Sequence, residues 1–249
     1  MSSGISSSSR GAGQTGICTW NSLNSLMNPA HLGSLKTINF QFESYNYFLV
    51  NGIFETSFNM SLPIKKASGI GFEMAVDGSN ELKDLLFLIS YGKKLNEKTN
   101  LGISAGYIHT QTPESNDLMN ITYAVGLQTK LLPNLLVGFV IKNPLPIQSK
   151  SLYAYPAVFK FGFNYQVNET FHILVEIQKH GILKQTLHFG FIYTPIYGRA
   201  VICGINTSGP MYSFAFQLQL RKRYQMTSAI EYHIPLGMSP SIGLSISLN

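Results

Sequence analysis

The ionisable side chains that could do chemistry are spread singly along the chain rather than grouped. The 6 histidines stand in separate segments, and the sequence contains neither a His-Glu-x-x-His pair nor a Walker loop. Glycine-rich pieces such as 69–72 and 102–106 fall within stretches of alternating hydrophobicity, where glycine permits close packing or a bend. The sequence therefore predicts no catalytic set, no metal site and no cofactor, and we expect that the protein is not an enzyme.

The charged residues inside the alternating stretches fall in phase with small residues such as Gly, Ser and Asn. The predicted lumen-lining set is Glu43, Glu55, Glu73, Lys160, Glu176, His188, Glu231 and His233. Two interpretations fit this set: the opposite charges neutralise one another in a structural ion-pair network, or they line a polar path or a ligand site. We favour the network, because an unpaired charge in a narrow interior needs water or a changed protonation state.

Composition separates this chain from most soluble proteins and from helical membrane proteins. Only 12% of the 249 residues are charged, about half the ~25% that is usual in a soluble domain. Yet no apolar run approaches the ~18 residues of a membrane-spanning helix. The net charge is +6, but the basic residues are scattered, so nucleic-acid binding is not expected. Cys18 and Cys203 cannot form a disulfide framework, and no bridge between them is predicted.

From Thr37 onward the hydrophobicity alternates with period two, as in strands whose two faces meet different environments. Phe159 and Phe161, for example, share one face, and Lys160 and Gly162 share the other. Most of these segments are about 9–13 residues long, which matches the ~9–11 tilted residues that cross a bilayer. About fourteen segments are predicted, at 37–48, 52–64, 67–77, 82–94, 100–112, 119–132, 134–143, 155–167, 170–179, 185–195, 200–207, 211–222, 225–235 and 240–249.

The predicted fold is all-β: a transmembrane, antiparallel, up-and-down β-barrel of about 14 strands over residues 37–249. Its bulky face would meet lipid and its small-residue face would line the lumen, since a closed barrel leaves no unpaired edge in hydrocarbon. The alternative is a soluble β-sandwich or a lipocalin-like barrel, in which the apolar face points inward. We favour the membrane barrel, because the polar face is too poor in Lys and Glu to be a water-exposed surface.

The connections between strands carry charge unequally. If the N-terminal segment lies in the periplasm, the periplasmic turns are basic, whereas the outer connections carry mixed charge. A basic rim could meet anionic lipid head groups or an acidic partner, or it could simply be solvated. The longest connection, 144–155, would be extracellular and is a candidate lid. No secretory signal is visible at the start, so we expect the numbering to begin after a removed signal and the protein to reside in a bacterial outer membrane.

Residues 1–36 form a separate Ser/Gly-rich segment, in which apolar residues from Trp20 to Met27 follow helical spacing. Arg10-Gly-Ala-Gly-Gln followed by Trp20 and Asn28-Pro29-Ala30-His31-Leu32 resembles the opening of FadL-type fatty-acid transporters and of the PorV and PorQ proteins of type IX secretion. Those proteins reach Asn-Pro-Ala-Gly-Leu-Ala before their first strand, and here His31 replaces the usual Gly. The resemblance implies that the N-terminal segment folds into the lumen as a hatch. The hatch residues expected from it are Trp20, Asn28, Pro29 and Leu32.

The resemblance implies two functions. One is a passive, hatch-gated barrel for hydrophobic or small solutes. The other is a non-enzymatic accessory subunit of an outer-membrane secretion or assembly complex, favoured by short loops and a basic rim. The expected partners are accordingly membrane lipids, a hydrophobic small molecule, and other outer-membrane or periplasmic proteins. An outer-membrane lipase or acyltransferase is a third hypothesis, but His109 and His180 near strand ends have no assignable nucleophile or acid.

Overall fold

A computed structural model describes residues 5–19, 27–64, 67–79, 81–113, 118–145, 156–207, 211–221 and 223–248. Trp20, the helical spacing that follows it, and most of the candidate lid 144–155 lie outside these residues. Within the described part of the chain, none of the helices has the length and apolar character needed to cross a membrane.

Fourteen strands follow one another from Ile38 to Leu248, as the alternation predicts. They are β1 Ile38–Asn46, β2 Phe54–Ile64, β3 Ser68–Gly78, β4 Lys83–Lys94, β5 Thr99–Gln111, β6 Leu118–Leu132, β7 Leu135–Lys142, β8 Val158–Gln166, β9 Phe171–His180, β10 Thr186–Ile196, β11 Arg199–Asn206, β12 Met211–Leu220, β13 Tyr224–His233 and β14 Gly237–Leu248. The predicted and observed ends of the strands differ by a few residues. Alternation shows which face of a strand a residue lies on, but it does not show where the hydrogen bonds between strands end.

The strands form one closed antiparallel barrel in which each strand pairs with its neighbours in sequence. Closure comes from β1 and β14, where Ile38 lies opposite Leu248 and Tyr45 lies opposite Ser241. The predicted barrel of about 14 strands is confirmed. We call the end where β1 begins and β14 ends the near end, and the end that carries the β1–β2 connection the far end.

The two faces of the barrel are chemically opposite. On β12, Phe214 and Phe216 are 49% and 45% exposed, whereas the intervening Ala215 and the preceding Ser213 are buried. The same alternation of exposed and buried residues recurs along the other strands. The bulky apolar side chains therefore point outward, as hydrocarbon surroundings require, and the small and polar side chains point inward. A soluble barrel with an inward apolar face does not fit this arrangement.

Two short helices lie in the described residues before the barrel. Helix α1 (Ser7–Gly11) begins after Ser6, whose hydroxyl accepts a hydrogen bond from the Ser9 amide at 3.2 Å. A 3₁₀ helix spans Pro29–Ser34, with proline at its start. Helix α1 packs against β11, β12, β13 and β14, while the 3₁₀ helix packs against β2 through β6. The two helices thus touch different walls of the barrel.

Candidate functional site

Arg10 in α1 carries the strongest polar contact between the N-terminal segment and the barrel. Its Nη2 lies 2.6 Å from Glu55 Oε2, and its Nη1 lies 3.5 Å from Glu231 Oε2. The guanidinium also lies 3.6 Å from the centroid of the Tyr45 ring. All three charged residues are at most 2% exposed. The two carboxylates come from β2 and β13, so a single arginine joins strands on both sides of the β1–β14 closure.

A third carboxylate, that of Glu43, holds the start of α1. The Ser7 amide donates to Glu43 Oε2 at 3.0 Å, and the Ser7 hydroxyl donates to the same oxygen. Gln41 Nε2 donates to the other oxygen, Glu43 Oε1, at 2.6 Å. Glu43 therefore accepts an amide and a hydroxyl at the helix N-terminus, where a negative charge is favourable.

The extended chain after α1 is bound by residues of β9, β10 and β12. Glu176 Oε1 accepts hydrogen bonds from the amides of Gly16 and Ile17, the latter at 2.7 Å. His188 Nδ1 lies 2.8 Å from the Gly13 carbonyl oxygen, which can only accept, so this ring nitrogen is the donor. The Gly13 amide donates to Ser213 Oγ at 3.0 Å. These contacts use main-chain groups of the segment, so its path, rather than its side chains, is recognised.

The 3₁₀ helix is seated by close contact instead of charge. Gly69, Gly92, Gly102 and Gly126 are register partners across β3, β4, β5 and β6, and we call them the glycine track. A Cβ at Gly92 would lie 2.5 Å from the Pro29 carbonyl oxygen and 2.7 Å from Leu32 Cβ. The track thus gives the 3₁₀ helix a flat wall, because a side chain at these positions would occupy the space in which the helix lies.

Asn28 fixes the start of the 3₁₀ helix on this wall. Its Oδ1 accepts from the Ala30 amide at 3.0 Å, as an N-cap does. Its Nδ2 donates to the carbonyl oxygens of Ile17 at 3.0 Å and of Leu127 at 3.2 Å. Asn28 and Leu32 are fully buried. One side chain therefore joins the two parts of the segment to β6.

The predicted lumen residues divide into two groups. Glu43, Glu55, Glu176, His188 and Glu231 all contact the N-terminal segment. Glu73, Lys160 and His233 form no ion pair within 4.0 Å among the described residues. His233 instead meets the Phe48 ring edge-on, with the ring centroids 5.2 Å apart. The carboxylates that are paired bind Arg10 and not the lysines of the strands.

Arg10 was missed as a site residue by sequence reasoning, although it stands in the quoted Gly-rich motif. A signal was available: five of the eight predicted lumen residues are glutamates and only one is a lysine. An excess of buried carboxylate calls for a cation from elsewhere, because buried charges are normally paired. The lone arginine of a Ser/Gly-rich segment was the available partner.

The chain contains the spacing Gly-x-Ser-x-Gly, which many hydrolases place at their nucleophile, at Gly102–Gly106. The structure there does not have the geometry of a hydrolase. The stretch lies in the middle of β5 and not at a sharp strand-to-helix turn. Ser104 and His180 line one cavity, yet no hydrogen bond joins them among the described residues. No group of three potential metal ligands is found in the described ranges. Cys18 is buried, Cys203 is exposed, and both are free thiols.

Two cavities border the 3₁₀ helix. One of about 710 Å³ lies toward the near end and is lined by His31 and by several charged residues. The other cavity, of about 110 Å³, is lined by Pro29, Glu73, Lys142 and His180 among other residues. Both cavities adjoin the wall that carries the glycine track.

No family model and no curated protein matches the sequence. Solved structures do match in fold. The CymD monoaromatic hydrocarbon channel superposes with a TM-score of 0.78 at 13% identity, over 99% of this chain and 98% of that chain. The toluene transporter TodX of Pseudomonas putida gives 0.76 at 10% identity over 100% of both chains. A Pseudomonas aeruginosa FadL homologue gives 0.66 at 10% identity, over 97% of this chain and 96% of that chain. The chain thus has, over nearly its whole length, the fold of FadL-type outer-membrane channels.

Proposed function

We propose that this protein is a passive outer-membrane channel for small hydrophobic solutes, and that the N-terminal segment 1–36, of which the structure describes 5–19 and 27–36, is a hatch that closes its lumen. The observation that carries the proposal is the set of buried polar contacts by which α1 and the chain after it are held against the inward face. The apolar outer surface suits a membrane. The solute class comes from the fold likeness to channels whose names specify toluene or monoaromatic hydrocarbons.

The chemistry of the contacts favours a movable hatch and not a permanent plug. The segment does bury apolar side chains, such as Ile17 and Leu32, but these lie outside α1, whose buried residues are Ser7, Ser9, Arg10 and Gly11. Its hydrogen bonds and ion pairs can be exchanged for bonds to water when the segment shifts, so the free-energy difference between the two positions is small. A gate needs such a small difference, because the open and closed states must both be populated.

Uptake of radiolabelled toluene by Gram-negative cells tests the proposal. Cells with the folded protein in their outer membrane should take up toluene faster than cells with an empty vector. Folding is checked by the slower gel migration of the heated barrel. Equal uptake in both cell types, with folded protein present in the outer membrane, would contradict the channel function.

A basic surface supports a second candidate, an accessory role in an outer-membrane export or assembly complex. The near end carries few acids, and its described basic residues include Lys36, Lys93, Lys94, Lys98, Lys130, Arg199, Arg221 and Arg223. Such a rim fits an acidic periplasmic partner. Gentle detergent extraction followed by size measurement tests it. Recovery of the isolated monomer alone would argue against this role.

A further inference from the structure

The cavity of about 710 Å³ at the near end is lined by charge that is mostly of one sign. Among the described residues that line it, the acid is Glu97 and the lysines are Lys36, Lys94, Lys98 and Lys130. Glu97 is exposed, and no ion pair within 4.0 Å joins it to Lys94 or Lys98 in the described part of the chain. A concave site with an excess of one charge concentrates small ions of the opposite charge.

Asn100, at the start of β5, ties the N-terminal segment to this charged wall. Its Nδ2 donates a hydrogen bond to Ser34 Oγ at 2.7 Å, which places the end of the 3₁₀ helix, two residues before Lys36, beside β5. Lys94 is the register partner of Asn100 across β4 and β5. One lysine of the segment and one lysine of the barrel therefore line the cavity close to the same hydrogen bond.

Two of the barrel's lysines lie on its inner face. Lys94 comes two residues after the buried Gly92, and Lys130 comes two residues after the buried Gln128, so both are in the inward phase of their strands. Lys93 has the opposite phase and is exposed. A ligand of Lys94 and Lys130 therefore reaches them through the mouth of the barrel, and not from the lipid head groups around it.

The lysines are also close enough to need a counter-charge. The Lys130 amide donates to the Lys98 carbonyl oxygen at 2.9 Å, so these two residues are neighbours in space. Like charges on neighbouring residues repel each other, and one exposed acid does not balance four bases. An anion between the lysines would replace this repulsion by attraction. An anion with more than one charged group pairs with several lysines at once.

We infer that this cavity binds a small polyvalent anion, a solute with two or more carboxylate or phosphate groups, held between Lys36 of the N-terminal segment and Lys94 and Lys130 of the barrel. The volume of about 710 Å³ lies within the roughly 300–1,000 Å³ of small-molecule sites. Because the anion contacts both the segment and the barrel, its binding stabilises the segment on this wall. The inference goes beyond the proposed function, since it adds a site for a charged molecule that the channel need not transport.

Calorimetric titration of citrate into the purified, folded barrel, in non-ionic detergent at constant ionic strength, tests the inference. We expect the wild type to bind citrate, and to bind acetate, which carries one carboxylate, at least about tenfold more weakly. Lys94→Gln removes a lysine from the cavity and should weaken citrate binding about tenfold. Lys93→Gln is the matched control, because it removes the same charge from the adjacent, outward-facing position. It should weaken citrate binding less than about twofold.

Two results would overturn the inference: no binding of citrate to the wild type, or equal weakening by Lys94→Gln and Lys93→Gln, which would assign the binding to the general charge of the rim. If Lys94→Gln fails to fold, Lys36→Gln, which lies outside the strands, tests the same cavity and should also weaken citrate binding about tenfold. Binding of an acidic peptide, hexaglutamate, in the absence of citrate binding would likewise reject the small anion, in favour of a protein partner.

Toluene uptake separates this inference from the proposed function, because the binding measurement needs no transport. Uptake of toluene without citrate binding rejects the anion site and leaves the channel. Citrate binding without toluene uptake rejects the channel and leaves the anion site.

Discussion

The two walls of the barrel hold the N-terminal segment by different physics. On the side of β11–β14 and β1–β2, charge adds to close packing, because Arg10 lies between Glu55 and Glu231 and the neighbouring Gly11 lies against Ala215. On the side of β3–β6, the 3₁₀ helix is held by fit, with Pro29 and Leu32 against glycines. Charged contacts can be replaced by water, whereas a close steric seat has no such substitute. We therefore expect the α1 side to release first and the 3₁₀ helix to remain as the anchor.

Arg10→Met should have the largest effect. Removing the guanidinium takes away the cation that Glu55 and Glu231 share, and breaking a buried ion pair in this way costs about 3–5 kcal/mol. The closed position of the segment should lose that free energy. In a Cys203→Ser background, the buried Cys18 then reports release through its labelling by a water-soluble maleimide. We expect labelling to accelerate about a hundredfold or more.

The matched control for that variant is Arg223→Met, which removes an exposed arginine at the near end. It should leave Cys18 labelling at the wild-type rate. Adding Glu55→Gln and Glu231→Gln to Arg10→Met should slow labelling again, since the buried charges are then gone. Unchanged labelling in Arg10→Met would show that charge does not hold α1.

Gly102→Val tests the steric side. A Cβ at Gly102 would collide with the main chain at Pro29 and Ala30, which cannot yield as a flexible side chain would. Overpacking of this kind costs about 1–3 kcal/mol. Thermal unfolding, followed by the heat-dependent gel shift, should occur at a lower temperature. Gly71→Ala is the graded control, because its Cβ would meet only the movable tip of Leu32 at 3.3 Å. Equal losses in both variants would contradict a tight seat.

Glu176→Gln should have a smaller effect. Gln keeps one oxygen that can accept from the Gly16 and Ile17 amides but loses the charge that strengthens both bonds. The expected loss is about 1–2 kcal/mol in the closed position, or roughly tenfold faster labelling of Cys18. Glu169→Gln changes an exposed turn and is the control. A labelling rate as fast as in Arg10→Met would contradict the expectation that Arg10 stabilises the closed position more than Glu176 does.

The smallest expected effect is a pH dependence at the 3₁₀ helix. Burial lowers the pKa of His31 from 6.5 to about 4, although a hydrogen bond at Gly16 opposes this. Release of the chain after α1, whose Gly16 and Thr19 contact His31, would let the ring bind a proton more readily, so the closed position weakens as pH falls below about 6.5 and is fully weakened near pH 4. The described charged groups lining the same cavity are Lys36, Lys94, Glu97, Lys98 and Lys130.

Labelling of Cys18 at about pH 5.5, divided by its labelling in unfolded protein at the same pH, should be severalfold faster than at pH 7.5. His31→Gln should remove the difference, because glutamine does not titrate in this range. A pH dependence that persists in His31→Gln would assign the effect to another group.

The barrel could be predicted from sequence because its strands have only two environments. Phe214 lies on the outer face and Ala215 on the inner face, so the alternation of large and small residues predicted the strands and their faces. The same reasoning placed Glu55 and Glu231 inward. Gly69 and Gly102 were expected to permit close packing or bends, and their register with Gly92 and Gly126 shows that close packing applies.

The partners of these residues could not be predicted in the same way. Arg10 sits in a five-residue helix with no hydrophobic period, and its contacts join it to β2 and β13, far away in sequence. Such contacts depend on where an irregular segment lies after the barrel has closed. For the same reason Glu73 was grouped with Glu55 and Glu231, although it faces a cavity and not the segment.

The central claim is that the segment must leave the inward face before a solute can pass. A disulfide between the native Cys18 and Gly138→Cys, in a Cys203→Ser background, tests it directly, because a Cβ at Gly138 would lie 2.6 Å from Cys18 Sγ. Oxidised protein should lock the segment to β7, and toluene uptake should fall to the empty-vector level and return on reduction. Equal uptake by the oxidised and reduced proteins, with the bond shown to have formed, would contradict the account.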